Sequence, residues 1–213
     1  MLENLSGKDL KSQFKENKTL RLITFAVTGI VVVTLGYFAY KTFIWGPANE
    51  KSKDAYWAGL NYASKDSTDQ AIDELSRVVK EYDGKQGGEN AQFVLARMYM
   101  NKKEYAKALK ELEGVDVSDT YLSVYTLGLQ GDCNSELGKY KEAKDLYIAA
   151  ADLNDNEKTS PDFLFKAALC AEELNDNEGA LELYTRIKEN YLMFSNQRTI
   201  NKYIARVKNK PKK

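Results

Sequence analysis

The sequence predicts an all-helical protein: a single N-terminal transmembrane helix, then a solenoid of helical hairpins closed by a C-terminal capping helix. Three observations predict it. Leu22 to Tyr40 is a nineteen-residue run without a charge, the rest of the chain is nearly free of proline, and four segments recur at near-constant spacing. Proline stands only at Pro47, Pro161 and Pro211, outside the helix interiors, while Ala, Leu, Lys and Glu recur throughout. That composition favours helix.

The apolar run comes first in the chain. At a rise of about 1.5 Å per residue it makes a helix of roughly 28 Å, close to the thickness of a bilayer's hydrocarbon core. It has no polar face, unlike the usual soluble helix. It also exceeds the roughly 7–15 residues of a signal-peptide core, and Lys41-Thr42-Phe43-Ile44-Trp45 offers no small-residue cleavage site. A cleaved signal and a soluble helix are the competing readings. Tyr37, Tyr40, Phe43 and Trp45 gather at its far end, as in an interfacial aromatic belt. The expected division is a basic tail over 1–21, an anchor over 22–45 and a helical domain over 46–213.

Orientation follows from the flanks. Lys8, Lys11, Lys15, Lys18 and Arg21 precede the run, against Lys41, Lys51 and Lys53 just after it. The positive-inside bias places the N-terminus in the cytoplasm and the large domain across the membrane. The margin is two charges, and the opposite topology is the alternative. Leu2, Leu5, Leu10 and Phe14 among the leading lysines fit either an interfacial helix or a tethered tail.

The four recurring segments align on Ala71, Ala108, Ala143 and Ala180, spaced 37, 35 and 37 residues apart. Four places after each alanine, on the same helix face, stands Leu75, Leu112, Tyr147 or Tyr184. Twelve places before each stands Gly59, Ala96, Gly131 or Ala168, small enough for two helices to approach closely. The hairpins predicted from this spacing are 51–65 with 68–81, 89–101 with 104–113, 120–137 with 140–153, and 161–174 with 177–190. Expected punctuation is Asp66 and Ser67 as caps, Gly84, Gly87 and Gly88 as the turn between the first two repeats, Gly114, Gly138, and Ser160 as a cap before Pro161. In the stretch 197–208, Ile200, Tyr203, Ile204 and Val207 share one face and the other is basic, as suits a capping helix.

This pattern of small residue, aromatic and alanine resembles the tetratricopeptide repeat. Tyr62 and Tyr99 match the aromatic three places after the small residue, whereas Asn134 and Ala171 depart from it and each repeat's closing proline is missing. The resemblance implies that the first helices of successive hairpins line a concave surface that holds partner proteins. Its candidate partner-binding residues here are Tyr56, Leu60, Phe93, Arg97, Met100, Tyr125, Asp132, Phe165, Leu169 and Glu172. Ordinary packing between repeats is the competing role for each aromatic. The family's clamp of Lys, Asn and Arg for a terminal carboxylate is not reproduced; Arg97 near Asn90 is a remnant.

Cys133 and Cys170 occupy equivalent positions in adjacent repeats. Stacked helices lie about 10 Å apart, beyond the roughly 4.4–6.8 Å between Cα atoms that a disulfide tolerates. Two buried free thiols are therefore expected.

Enzymatic chemistry finds little footing. The chain has no histidine, the commonest general base and metal ligand. Lys plus Arg equals Asp plus Glu at 31 each, so no nucleic-acid surface is indicated. Asp152 to Asn156 is the nearest approach to a calcium loop, but Glu157 replaces its glycine and Phe163 its closing acid. No cofactor or metal is expected, nor catalysis.

A basic tail, one signal anchor and a degenerate tetratricopeptide domain together resemble the ancillary Sec translocon subunit family of the YfgM type. That resemblance implies a bacterial inner-membrane protein with periplasmic repeats, associating with a SecYEG-type channel, a PpiD-type periplasmic chaperone and exported polypeptides. An adaptor of another envelope-assembly or secretion complex, or an organelle import receptor with repeats facing the cytosol, are the alternatives.

Overall fold

The computed structural model describes residues 14–65, 67–116 and 119–210. The expected roles of Leu2, Leu5, Lys8, Leu10, Lys11, Asp66 and Pro211 lie outside the described residues. The chain divides into two compact units, Met1–Glu50 and Lys51–Lys213.

In the first unit, Lys18–Tyr40 forms helix α1, followed by one π-helical turn, Lys41–Trp45. Asn17 caps α1, its side chain accepting from the Leu20 amide at 3.0 Å. No residue of α1 is buried. Two of its hydroxyls are satisfied within the helix: those of Thr24 and Thr34 donate to the Leu20 and Ile30 carbonyls at 2.8 Å each. That is what hydrocarbon, which offers no partner, demands. Helix α1 is long and apolar enough to cross a membrane. In the π turn the Lys41 ammonium lies 3.5 Å from the centre of the Trp45 ring, so the charge is carried back over an aromatic face.

In the second unit the described residues form helices and no strand. The hairpins are Gly46–Ala63 (α2) with Thr68–Glu81 (α3), Gln86–Asn101 (α4) with Tyr105–Glu113 (α5), Thr120–Glu136 (α6) with Tyr140–Leu153 (α7), and Ser160–Glu173 (α8) with Asn177–Asn190 (α9). The helix α2 begins within the first unit. A short helix Leu192–Gln197 (α10) and a final helix Ile200–Lys208 (α11) follow. The four phase-setting alanines are fully buried, as are Leu75, Leu112 and Tyr184, with Tyr147 nearly so. The small residues act as the spacing implies. A Cβ on Gly59 would meet the Leu75 side chain at 2.5 Å, and one on Gly131 the Tyr147 ring at 2.6 Å.

The turn inside the second, third and fourth hairpins also repeats. Lys103, Gly138 and Asn175 all take left-handed backbone, with φ of 60°, 75° and 59°. After each, the next amide (Glu104, Lys139, Asp176) reaches back to the carbonyl of Tyr99, Asn134 or Ala171 at 2.8–2.9 Å, closing the helix in a Schellman motif. Spacing alone marked only the glycine of the three.

Four local expectations need correction. Gly87 and Gly88 lie inside α4 rather than in a turn; Gly84, with φ of 64°, makes that turn. A Cβ on Gly87 would fall 2.1 Å from the Ser52 carbonyl oxygen and one on Gly88 2.0 Å from that of Tyr82, so these glycines permit backbone contact. Ser67 is the N-cap of α3, as expected, but its side chain makes no capping bond; its carbonyl accepts from the Ala71 amide. Ser160 is the first residue of α8 and Thr159 its cap; the Ser160 hydroxyl instead ties back to the Ala151 carbonyl. The stretch 197–208 is broken after Gln197, because Thr199 is left-handed at φ 50° and turns the chain between α10 and α11.

Candidate functional site

The first helices of the hairpins carry the expected partner-facing positions, and the structure separates them. Met100, Asp132 and Leu169, from α4, α6 and α8, come together along one open groove of about 650 Å³. Tyr56, Leu60 and Phe93 are half-buried and pack against the cluster around Ala71, Leu75 and Leu95. Arg97 is exposed. Burial raises the Tyr56 phenol, and the Arg97 charge nearby acts in the opposite sense. Tyr125 is exposed on α6, away from the groove lining.

Phe165 and Glu172 are claimed by the C-terminal helices. Phe165 is 8 % exposed, with the ring centres of Tyr203, Tyr184 and Phe194 at 4.9, 5.9 and 6.3 Å. Glu172 accepts from the Tyr184 hydroxyl at 2.9 Å, from Lys210 at 2.8 Å and from Arg206. Burial alone would raise its carboxyl, but those three donors together outweigh burial and hold it below the ordinary glutamate value.

At the groove floor Asp132 is fixed from two sides, by the Tyr147 hydroxyl and the Lys166 ammonium, each at 2.6 Å. Burial first, then this hydrogen bond, pushes the Tyr147 phenol well above the usual tyrosine range, so it stays a neutral donor. Lys166 also lies 5.4 Å from the centre of the Tyr147 ring. Further along, Glu136 lies against the Tyr105 hydroxyl, and Glu173 stands exposed on the lining. Spacing marked neither Lys166 nor these two acids as site residues. A signal existed for the first: Asp132 and Lys166 are opposite charges 34 residues apart, nearly one repeat.

Both cysteines are free and buried. Desolvation pushes the Cys133 thiol up to about 11, and burial raises that of Cys170 as well. Neither is a thiolate at neutral pH. The chemistry on offer is therefore recognition: an open channel with apolar walls, phenol hydroxyls and fixed carboxylates.

Stacked helical hairpins with such a channel define a class of repeat protein that works by holding other proteins. Residues 48–169 match the tetratricopeptide repeat-like domain family and residues 162–191 the tetratricopeptide repeat itself, and the chain belongs to that family. Among solved structures the chain is similar to the apo form of RapI, with 16% identity over 93% of this chain and 72% of that one, TM-score 0.58. It is also similar to MamA, with 19% identity over 76% and 88% of the two chains, TM-score 0.56. Residues 41 to the end of MamA from Desulfovibrio magneticus RS-1 give 18% identity over 65% and 74%, TM-score 0.53. At these identities the likeness is one of fold. No curated protein matches the chain.

Proposed function

We propose that the protein is a non-catalytic, membrane-anchored scaffold of the Sec translocon in a bacterial inner membrane. In this reading α1 crosses the membrane once, the basic residues up to Arg21 stay in the cytoplasm, and the repeats stand in the periplasm. There they present a concave face to a SecYEG-type channel, a PpiD-type chaperone and exported polypeptides. The observation that carries the reading is a contrast within one chain. Helix α1 buries none of its apolar residues, while the repeats that follow bury theirs and leave a groove open. An exposed apolar helix of this length suits lipid, and an open groove on stacked repeats suits another protein. The five basic residues before the span against three after it support the orientation.

Topology is testable with one cysteine. Asp83 is exposed in the loop after α3, and the native thiols are buried. A membrane-impermeant maleimide should label Asp83→Cys in intact cells, with the parent chain giving no background. Gentle detergent extraction should bring the translocon channel down with it. Labelling only after lysis would overturn the orientation, and extraction without any channel subunit would overturn the translocon role.

A further inference from the structure

The groove has a sign. Of the charged groups on its lining, Asp132, Glu136 and Glu173 are acidic and Lys166 is basic, leaving two net negative charges. The single cation is spent on Asp132 at 2.6 Å. Glu136 and Glu173 stand exposed, 37 residues apart at equivalent places in successive repeats. Beside them lie two tyrosines, Tyr105 and Tyr140, and the apolar side chains of Met100 and Leu169. Phenol rings accept cations over their faces, and a methionine adapts to whatever apolar side chain meets it. Beside the groove, the Glu172 carboxylate is already neutralised by Arg206 and Lys210. The unfilled negative potential therefore sits at the third and fourth repeats.

We infer that this groove takes an extended partner segment that presents a lysine or arginine between apolar side chains, the cation seated between Glu136 and Glu173. Its polarity is opposite to that of a site built to hold a carboxylate. The inference rests on the scaffold reading above, since it names the chemistry of the partner such a scaffold would hold. Charge complementarity of this kind acts on partner choice and on the rate of encounter.

The test uses the full-length protein in phosphatidylcholine nanodiscs and two fluorescein-labelled pools of dodecapeptides drawn from Leu, Ala, Tyr and Ser. One pool carries lysine at its centre, the other aspartate. Fluorescence polarisation should show the lysine pool bound about tenfold tighter, as two charge contacts allow, with the gap narrowing as salt rises. The double variant Glu136→Lys/Glu173→Lys should reverse the preference with an unchanged melting temperature, because both side chains are exposed. Equal binding of the pools, a preference for aspartate, or a double variant that keeps the parent's preference would overturn the inference. A second copy in the groove would show as a mass by light scattering that halves in the double variant without discrimination between the pools, and would overturn it too. If a channel subunit still co-purifies with the double variant while the pools are not discriminated, the scaffold reading stands and only the groove's assignment fails.

Discussion

Glu172 shows what a side chain's neighbours do to a role inferred from spacing. Its register puts it on the partner-facing side of α8, where a carboxylate is free to meet a ligand. One repeat further on, the chain supplies Arg206 and Lys210, and these, with Tyr184, take the carboxylate inward. The pairing was written in the sequence as opposite charges 34 and 38 residues apart, but only the path of α11 makes them meet. Because the folded carboxyl titrates below its ordinary value of 4.5, the ionised form stabilises the fold. That contribution is complete above about pH 4.5 and is lost as pH falls through the lower folded value. Glu172→Gln should therefore cost about 1–2 kcal/mol at pH 7, and less as the pH is lowered through that window. Urea unfolding followed by circular dichroism at pH 7 and below pH 4 measures it. An equal loss at both pH values would mean that the carboxylate's charge is not what holds α11.

At the scale of helices, most of the fold was legible because the repeat residues are contacts and not mere composition. Gly59 against Leu75 and Gly131 against Tyr147 are steric necessities, so alignment of small and large residues finds the hairpins. Two features escaped that logic. The break at Thr199 has no local signal, since a β-branched residue is a poor candidate for left-handed backbone. Gly87 and Gly88 look like a turn, because glycine within a helix costs about 1 kcal/mol relative to alanine and is seldom tolerated without a reason. The reason is the Ser52 carbonyl: a Cβ at Gly87 would sit 2.1 Å from its oxygen and 2.2 Å from its carbon, and a helix backbone cannot move aside as a side chain can. The Gly87 amide meanwhile donates to the Ser52 hydroxyl at 3.0 Å, which locks the two first helices together. Gly87→Ala should therefore destabilise the domain by about 2 kcal/mol in spite of alanine's better helix propensity. In an ordinary helix interior the same change would stabilise. The sign of the shift in the urea midpoint separates the two.

Across the whole repeat unit, the apolar interior falls into three clusters: one around Leu75 and Leu95, a small one around Leu112 and Cys133, and a large one from Val124 to Val207. Side-chain bridges join the first repeat to the second and the third to the fourth. Lys102 meets Asp69, Lys166 meets Asp132, and Arg186 meets Asp152, at separations of 33 or 34 residues. Most of these charges are exposed, and each pair contributes about 0–1 kcal/mol. Their value is in register more than in strength. A stack in which each repeat leans only on its neighbours unfolds from its ends, so the end that is capped best should open last. Here the cap is α11. Ile200 and Val207 are buried, and Tyr203 lies over Phe165 and Tyr184, with ring centres 4.9 and 5.4 Å apart. A chain ending at Asn190 would leave Ile187, Tyr184 and Phe165 facing water, an apolar surface that no bridge to the previous repeat can replace. The loss should be graded along the stack. Amide hydrogen exchange should show protection lost first in α8 and α9, reduced in α6 and α7, and retained in α3 to α5, whose two clusters share no buried residue with the cap's. The milder Tyr203→Ala, which removes one large aromatic contact at a cost of about 3 kcal/mol, should produce the same gradient with smaller amplitude. Uniform loss of protection from α3 to α9 in both variants would mean that the repeats fold as one cooperative block, and the nearest-neighbour account of this domain would have to be abandoned.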